Sequence, residues 1–563
     1  MSTSALSYDH GGDASTLIGE TIGVHFDRTV SRWPDSLALI SRQQGVRWTW
    51  RDLGARVDAF AAGLLALGLK PGDRVGIWAP NNAEWVVTQF ATAKAGLILV
   101  NINPAYRLSE VEYALNKVGC AALVTATAFK TSDYIGMVNT LAPELARSRP
   151  GHLDAAKLPH LKIVIQIGDS APGTLAFESI YERGTEAERK RLVELGGQLQ
   201  FDDPINIQFT SGTTGLPKGA TLTHHNILNN GYFCGERMHY TERDRVCLPV
   251  PMYHCFGMVI GVLACMTHGS AIVFPGEGFD PLATLQAVAE ERCTSLYGVP
   301  TMFIAELDHP AFATFDLTSL RTGMMAGAPC PIEVMRRCIR DMNLTEMTIG
   351  YGMTETSPVS TQTLIGDTIE RQTSTVGRAH PHVEIKIVDA EGRVVPRGTA
   401  GEFCTRGYSV MTGYWDDEER TAQAIDRQGW MHTGDLATMD EHGYCNIVGR
   451  IKDMVIRGGE NIYPREIEEF LYRHPAIQDV QVFGVPDQRF GEELCAWIKL
   501  RAGQAATADD IKAFCKDQIA HYKVPRYIKF VDEFPMTVTG KMQKFIMREE
   551  MSRKLGLVAA KTA

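Results

Sequence analysis

Between Thr49 and Pro104 the apolar positions switch repeatedly between two spacings. "TWRDLGARVDAFAAGLLALGL" (Thr49–Leu69) repeats them at helical intervals, and "DRVGIWA" (Asp73–Ala79) is a short apolar run of the kind that makes a buried strand. A second helical pattern, "NAEWVVTQFATAKAG", leads into the strand-like "LILVNINP". The alternation continues through "RDRVCLPVP", "AIVFP" and "CTSLYGVP", with "PLATLQAVAEER" as one intervening helix. Strands separated by helices predict a mostly parallel sheet covered on its faces.

After about Asp367 the texture changes. "VGRAHPHVEIKIVDAEGRVVPRGTAGEFCTRGYSVMTGYW" has short alternating strands broken by Gly, Pro and Asp, the pattern of a β-rich subdomain over about 367–449. "GYCNIVGRIKDMVIRGGENIYPREIEEFL" runs from strand to turn to helix, and a small α+β unit follows ("DVQVFGVPD", "LCAWIKL", "ADDIKAFCKDQI", "YIKFVDEFP"). The expected fold is α/β: an N-terminal body of layered mixed sheets with helices over 1–449, and a small α+β domain over 450–563.

Composition narrows the functions. The 563 residues carry a net charge of −10 and no dense basic stripe, which argues against nucleic acid as the partner. The 12 cysteines are scattered without a C-x-x-C pair, and the first 27 residues contain no Lys or Arg. Reduced thiols and no secretory or transit leader point to the cytoplasm. The longest apolar run, "FGMVIGVLACM" (Phe256–Met266), is too short to span a bilayer.

One stretch stands out chemically. "FTSGTTGLPKGATLTHHN" (Phe209–Asn226) gathers four hydroxyls, three glycines, a proline and a lysine in its first eleven residues. Glycines let backbone N–H groups converge on an anion, while hydroxyls and Lys218 add donors and charge. The order is not that of a Walker A loop, because Pro217 and Gly219 stand in the wrong places. A flexible surface loop is the plain alternative.

The full string Thr210 to Gly219 resembles the phosphate loop of the adenylate-forming family, which includes acyl-CoA synthetases, luciferases and peptide-synthetase adenylation domains. "GAP" (Gly327–Pro329), "YGMTETSP" (Tyr351–Pro358), "HTGDLA" (His432–Ala437), "GRIKDMVIRGGENIYPREIE" (Gly449–Glu468) and "PMTVTGKMQK" (Pro535–Lys544) follow in the family's order. "PMYHCFGM", "LYGVPTMF" and "IVGRIKDMVIRGGENIYP" resemble medium-chain fatty acid–CoA ligases in particular. The resemblance implies that a carboxylic acid is joined to AMP with loss of pyrophosphate and then passed to the thiol of CoA. ATP, Mg²⁺ and CoA are the implied cofactor and co-substrates.

By the same resemblance Thr210, Ser211, Gly212, Thr213, Thr214, Gly215, Leu216, Pro217 and Lys218 hold phosphate. Gly327, Ala328, Pro329, Tyr351, Gly352, Met353 and Thr354 surround the adenine end, with Tyr351 stacking on the base. Asp435 and Arg450 take the ribose, and Glu355 holds Mg²⁺ on the triphosphate. Lys541, Glu355 and Thr210 are the catalytic set, Lys541 bridging carboxylate and α-phosphate. The C-terminal domain is a mobile lid with its hinge at Lys452, and Gly458, Gly459 and Glu460 border the CoA tunnel. His254, Phe256, Gly257 and Met258 border the acyl pocket. Taken singly, Lys541 and Arg450 read as surface charges, Glu355 as a helix-start acid, Asp435 as a turn residue, and Tyr351 and His254 as core residues.

Amino-acid-activating relatives place an Asp after the Phe of the segment matching "MYHCFGMVI", and here no acid occurs at 254–258. A buried ammonium would lack its partner. A fatty acid of medium length is the leading substrate, with aryl and dicarboxylic acids open. A luciferase-type oxidative adenylator and a binding protein that has lost catalysis are the competing classes. A homodimer is left open.

Overall fold

The computed structural model describes residues 6–13, 15–210, 217–457, 460–487, 489–516, 518–537 and 542–556. The alternation seen in sequence resolves into helices with recognisable ends. Thr49 and Asp52 form a reciprocal capping box that starts the helix Trp50–Ala66. Asn82 caps Ala83–Ala95, and Gly96 ends that helix in the left-handed region at φ 69°. This helix is buried almost all round, because it packs against Trp50–Ala66 and Ile22–Arg32 within the body.

Among the described residues, an eight-stranded sheet runs Leu175–Ala176, Ile163–Gln166, Cys120–Thr125, Arg74–Trp78, Ile98–Asn101, Pro204–Thr210, Lys218–Thr223, Gly413–Tyr414. The first six are parallel and the last two antiparallel. A nine-stranded sheet is parallel through its centre, from Glu346–Gly352 across Thr322–Met325, Ser295–Gly298, Arg245–Cys247 and Ala271–Phe274 to Leu37–Ser41. One continuous apolar core joins the two, with Val75 and Ile77 from the first and Leu39, Ile272 and Phe274 from the second.

A third, antiparallel sheet follows the order Tyr8–His10, Val383–Val388, Gly401–Gly407, Met431–Met439, Cys445–Arg450. The β-rich region expected from about 367 is therefore less self-contained than its sequence texture. Arg378–Ala379 joins the nine-stranded sheet, Gly413–Tyr414 joins the eight-stranded one, and the third sheet takes its edge strand from the N-terminus. Two- and three-residue strands are too short to show a period, so only tertiary pairing places them. The smaller C-terminal α+β domain has Ile477–Asp487 and Gly491–Leu500 as its long hairpin, with helices Pro464–Leu471, Ala508–Cys515 and Lys544–Lys554. No helix among the described residues is long and apolar enough to cross a membrane.

The helix His224–Arg237 clips these layers together with buried polar side chains. Asn230 exchanges two hydrogen bonds with the backbone of Val359 (2.8 and 3.0 Å), and Asn229 does the same with Ile18 (3.1 and 2.7 Å). Arg237, pushed down to about 10 by burial, donates to the carbonyls of Gln362 and Arg378.

Glu306 contrasts with them. It lies fully buried on the helix Pro300–Leu307, and neither carboxyl oxygen has a hydrogen-bond partner. Burial raises its pKa well above the ordinary glutamate range. The folded chain thus holds this proton to higher pH than the unfolded chain, so stability falls as pH rises above the ordinary glutamate value. Glu306→Met should stabilise the protein by about 1–3 kcal/mol near neutral pH and by less at about pH 5. Melting temperatures of both proteins across pH check this; an unchanged or lower value for the variant at neutral pH contradicts it.

Candidate active site

The loop singled out in the sequence is the tip of a hairpin. Strands Pro204–Thr210 and Lys218–Thr223 are antiparallel, with Thr210 directly opposite Lys218. Ser211, Gly212, Thr213, Thr214, Gly215 and Leu216 lie outside the described residues, as do Gly458, Gly459 and Lys541. The carbonyl of Pro217 accepts a bond from the Tyr113 hydroxyl at 3.1 Å.

At the last strand pair before the loop four side chains form a chain of contacts. Thr210 Oγ1 donates to Glu355 Oε1 at 3.2 Å, and the Tyr414 hydroxyl donates to the same oxygen at 2.9 Å. Lys218 Nζ donates in turn to the Tyr414 oxygen at 2.9 Å. Glu355, only 4% exposed, sits in the short turn Thr354–Thr356, whose Glu355 carbonyl accepts Met411 N–H. A carboxylate so buried is tolerable because donors surround it. Burial, and then Glu355 itself, push the Tyr414 phenol above its usual range, so it remains a donor. Just before this turn the strand Glu346–Gly352 ends where only glycine fits, since a Cβ on Gly352 would fall 1.8 Å from the Pro358 carbonyl oxygen. Met353 and Thr354 follow directly, with Thr354 Oγ1 3.7 Å from Cys255 Sγ.

A second carboxylate lies one strand system away. The plain turn reading of Asp435 does not hold, because the residue sits inside Met431–Met439 and is 8% exposed. The register of that strand against Gly401–Gly407 shifts between Glu402 and Cys404, opposite Thr433, Gly434 and Asp435. Such a bulge re-aims the side chains it carries. Asp435 pairs across the ladder with Arg450, whose Nε is 3.0 Å from Oδ1, and the Tyr351 hydroxyl donates to Oδ2 at 2.8 Å. Among the described residues each oxygen has one side-chain partner, and a carboxylate has about four lone-pair sites. Two acceptor positions thus stay available to a vicinal diol.

Tyr351 is held edge-on by Phe403, with centroids 5.0 Å apart. Gly327, Ala328 and Pro329 leave the end of Thr322–Met325, the strand neighbouring Tyr351's own, so the two segments emerge side by side. Both lie at the carboxyl ends of parallel strands, where open α/β sheets bind ligands.

His254, Phe256, Gly257 and Met258 fall at the start of an apolar helix, Phe256–Leu263, that has π-type winding and is wholly buried. Phe256 stacks on Tyr297 at 5.5 Å, and Met258 Sδ receives Asn101 and Gln208 amide groups at 3.2 Å. His254 Nδ1 accepts Phe256 N–H at 3.1 Å. A cavity of about 430 Å³ opens nearby, lined by Tyr253, Phe279 and Met302 of the body and Phe534, Met536 and Met542 of the C-terminal domain. Among the described residues it is Tyr253, not these four, that lines it.

Lys452 occupies the turn Ile451–Asp453, and burial, then Arg450, hold its amine below the ordinary lysine value. Glu460 is exposed on the short strand Glu460–Ile462. The C-terminal domain rests on the body through Asp308, which accepts from Gln478 at 3.0 Å and pairs with Arg501 at 3.2 Å. Arg465 adds a bond to the Ile447 carbonyl at 2.8 Å.

Sequence reasoning missed Tyr414, Tyr113 and Asp308. Tyr414 reaches Glu355 because Gly413 pairs with Thr221, far away in the chain, and no local pattern announces that. The tripeptide Gly413-Tyr414-Trp415, with an aromatic pair after a glycine, was the one available signal.

A buried acid flanked by hydroxyls beside the hairpin, and a second acid with acceptor positions to spare, are compatible with a nucleotide site, and likeness to known proteins supplies the class. The chain belongs to the AMP-binding enzyme family, matching it over residues 26–415 and the family's C-terminal domain over residues 466–541. It is an adenylate-forming ligase similar to medium-chain acyl-CoA ligases. A mitochondrial medium-chain acyl-CoA ligase of Danio rerio is 50% identical over 558 residues, covering 99% of this chain and 92% of the relative. Among solved structures, an anthranilate CoA ligase in complex with anthranoyl-AMP superposes with a TM-score of 0.85 at 26% identity, over 96% of this chain and 99% of that one. ATP-bound MatB from Rhodopseudomonas palustris gives 0.77 at 28% identity, over 95% and 99%.

Removing one hydroxyl tests the Glu355 cluster. Tyr414→Phe should lower kcat/KM for ATP in acid-dependent ATP–pyrophosphate exchange by about 10- to 100-fold, the worth of a hydrogen bond to a buried charge. Wild-type kinetics in the variant would show that the contact is idle.

Proposed function

We propose that the protein is an ATP-dependent acyl–CoA ligase that activates a medium-chain fatty acid as acyl-AMP and transfers the acyl group to CoA. The observation that carries this reading is the pair of buried carboxylates, each held by partners that leave it a role at one end of ATP: Asp435 as acceptor for the ribose hydroxyls, Glu355 as ligand for the Mg²⁺ on the triphosphate. The substrate class is supported by the apolar, acid-free segment around Phe256–Leu263 and by the identity to medium-chain acyl-CoA ligases. The likeness to an anthranilate CoA ligase favours an aryl acid as the second reading.

In this mechanism the loop 210–218 binds the phosphates, and Asp435 accepts the ribose hydroxyls while Arg450 and Tyr351 fix its direction. Ala328 and Tyr351 bracket the base. Both donors on Glu355 Oε1 are hydroxyls, a hard oxygen environment that fits Mg²⁺. Glu355 would hold the ion, which when bound neutralises triphosphate charge. The acid's carboxylate attacks the α-phosphorus and pyrophosphate leaves, a displacement that depends on positioning and charge neutralisation. By the family resemblance Lys541 is the residue that bridges the carboxylate and the α-phosphate.

The CoA sulfur then attacks the acyl carbon and AMP departs. A lid spanning 450–563 turns about Lys452 between the steps, exchanging Lys541 for a tunnel bordered by Gly458, Gly459 and Glu460.

Two experiments test this. CoA consumption measured with fatty acids from butyrate to stearate, plus benzoate and adipate, should peak at medium chain length; a peak at benzoate would install the aryl reading instead. Lys541→Ala should slow adenylate formation by about 10²–10³-fold yet largely spare thioester formation from supplied acyl-AMP. Equal loss of both half-reactions would refute the division of labour.

A further inference from the structure

The strands Gly401–Gly407 and Met431–Met439 carry a cluster of ligating atoms that the reaction leaves unused. Glu402 and Cys404 are alternate residues of one strand, hence on one face, and Cys404 pairs directly with His432 on the next. His432 Nδ1 is 2.9 Å from Glu402 Oε2 and 3.5 Å from Cys404 Sγ, and the three ligand atoms lie within 4.8 Å of one another. A sulfur at about 2.3 Å and a nitrogen at about 2.0 Å from a tetrahedral zinc ion stand about 3.5 Å apart. The Cys404–His432 separation matches that value. Nitrogen and oxygen ligands would stand about 3.3 Å apart, so the Glu402 contact need open by only a few tenths of an ångström.

The surroundings suit an ion as well. The other ring nitrogen of His432 faces Asp426 Oδ2 at 3.7 Å, where metal-bound imidazoles commonly keep a carboxylate. Cys404 is buried in a small apolar cluster with Val388 and Trp430, which fixes the sulfur. The His432 and Glu402 side chains remain 32% and 22% exposed, leaving a path inward. The cluster also touches the bulge that presents Asp435, since Glu402 Oε1 accepts Gly434 N–H at 3.1 Å.

We propose that Glu402, Cys404 and His432 form a binding site for a thiophilic divalent cation of the zinc class, and that filling it weakens nucleotide binding. The ion takes the place of the proton on His432 Nδ1 and of the Cys404 thiol proton, both released to solvent. Binding the ion draws the charge of Glu402 toward the metal, which weakens the bond that Oε1 accepts from Gly434 N–H and loosens the bulge beside Asp435. The binding half stands on the geometry alone; the coupling half rests on Asp435 as the nucleotide's carboxylate.

Cobalt(II) added to the full-length protein should give a thiolate-to-cobalt charge-transfer band at one equivalent. Cys404→Ala should abolish the band while retaining basal ATP–pyrophosphate exchange, and Glu402→Gln should weaken cobalt binding about tenfold or more. Zinc, with magnesium in excess, should raise the wild-type KM for ATP about fivefold or more and leave Cys404→Ala unaffected. A wild type without the band, or an equal band in Cys404→Ala, overturns the site. A normal band with an unchanged KM overturns the coupling. Absence of pyrophosphate exchange with every acid would strike the proposed activity, leaving the cobalt result intact.

Discussion

A carboxylate that is 8% exposed must be surrounded by donors, and the junction of the third sheet with the nine-stranded sheet is built around that demand at Asp435. Three strands meet to satisfy it. The bulge at Thr433–Asp435 turns the side chain, the ladder brings Arg450 opposite, and the end of a parallel strand in another sheet delivers Tyr351. Removing any one of these would leave either an unpaired buried charge or a carboxylate pointing elsewhere. The third sheet must therefore dock on the nine-stranded sheet with little freedom. The shared core that includes Met325, Ile349, Ile385 and Phe403 holds it there.

The Glu355 cluster follows the same logic by another route. Glu355 is kept by hydroxyls, Thr210 from the hairpin and Tyr414 from a two-residue edge strand, with Lys218 one step behind. Hydroxyl donors hold a carboxylate without bringing a counter-charge to it, which under the proposed function leaves its charge for the cation on the polyphosphate. A direct lysine pair would have cancelled it.

Much of this was legible in the sequence, for identifiable reasons. The helices Trp50–Ala66, Ala83–Ala95 and Pro281–Glu291 and the central strands were readable because their periods are long and their ends carry caps. Thr210, Glu355, Asp435, Arg450 and Tyr351 were nameable from ordered motifs, and the structure draws them into two clusters. What the sequence withheld depends on pairing between distant segments. Tyr414 belongs to a strand of two residues, and Asp435 looks like a turn residue because the strand bulges at that point. Asp308 is an ordinary surface acid until Arg501 and Gln478 of the C-terminal domain arrive.

The strand Tyr8–His10 has a consequence for the order in which the chain can be completed. It covers the outer edge of the third sheet, and its Tyr8 bonds Glu384 across 376 residues of sequence. On the ribosome this segment must wait, unpaired with that edge, until residues 383–388 have been made. Until it returns, the edge at Val383–Val388 presents open backbone groups to any other nascent strand. Final closure of the sheet is thus a late step of biogenesis, and a chain shortened at its start would carry that exposed rim permanently.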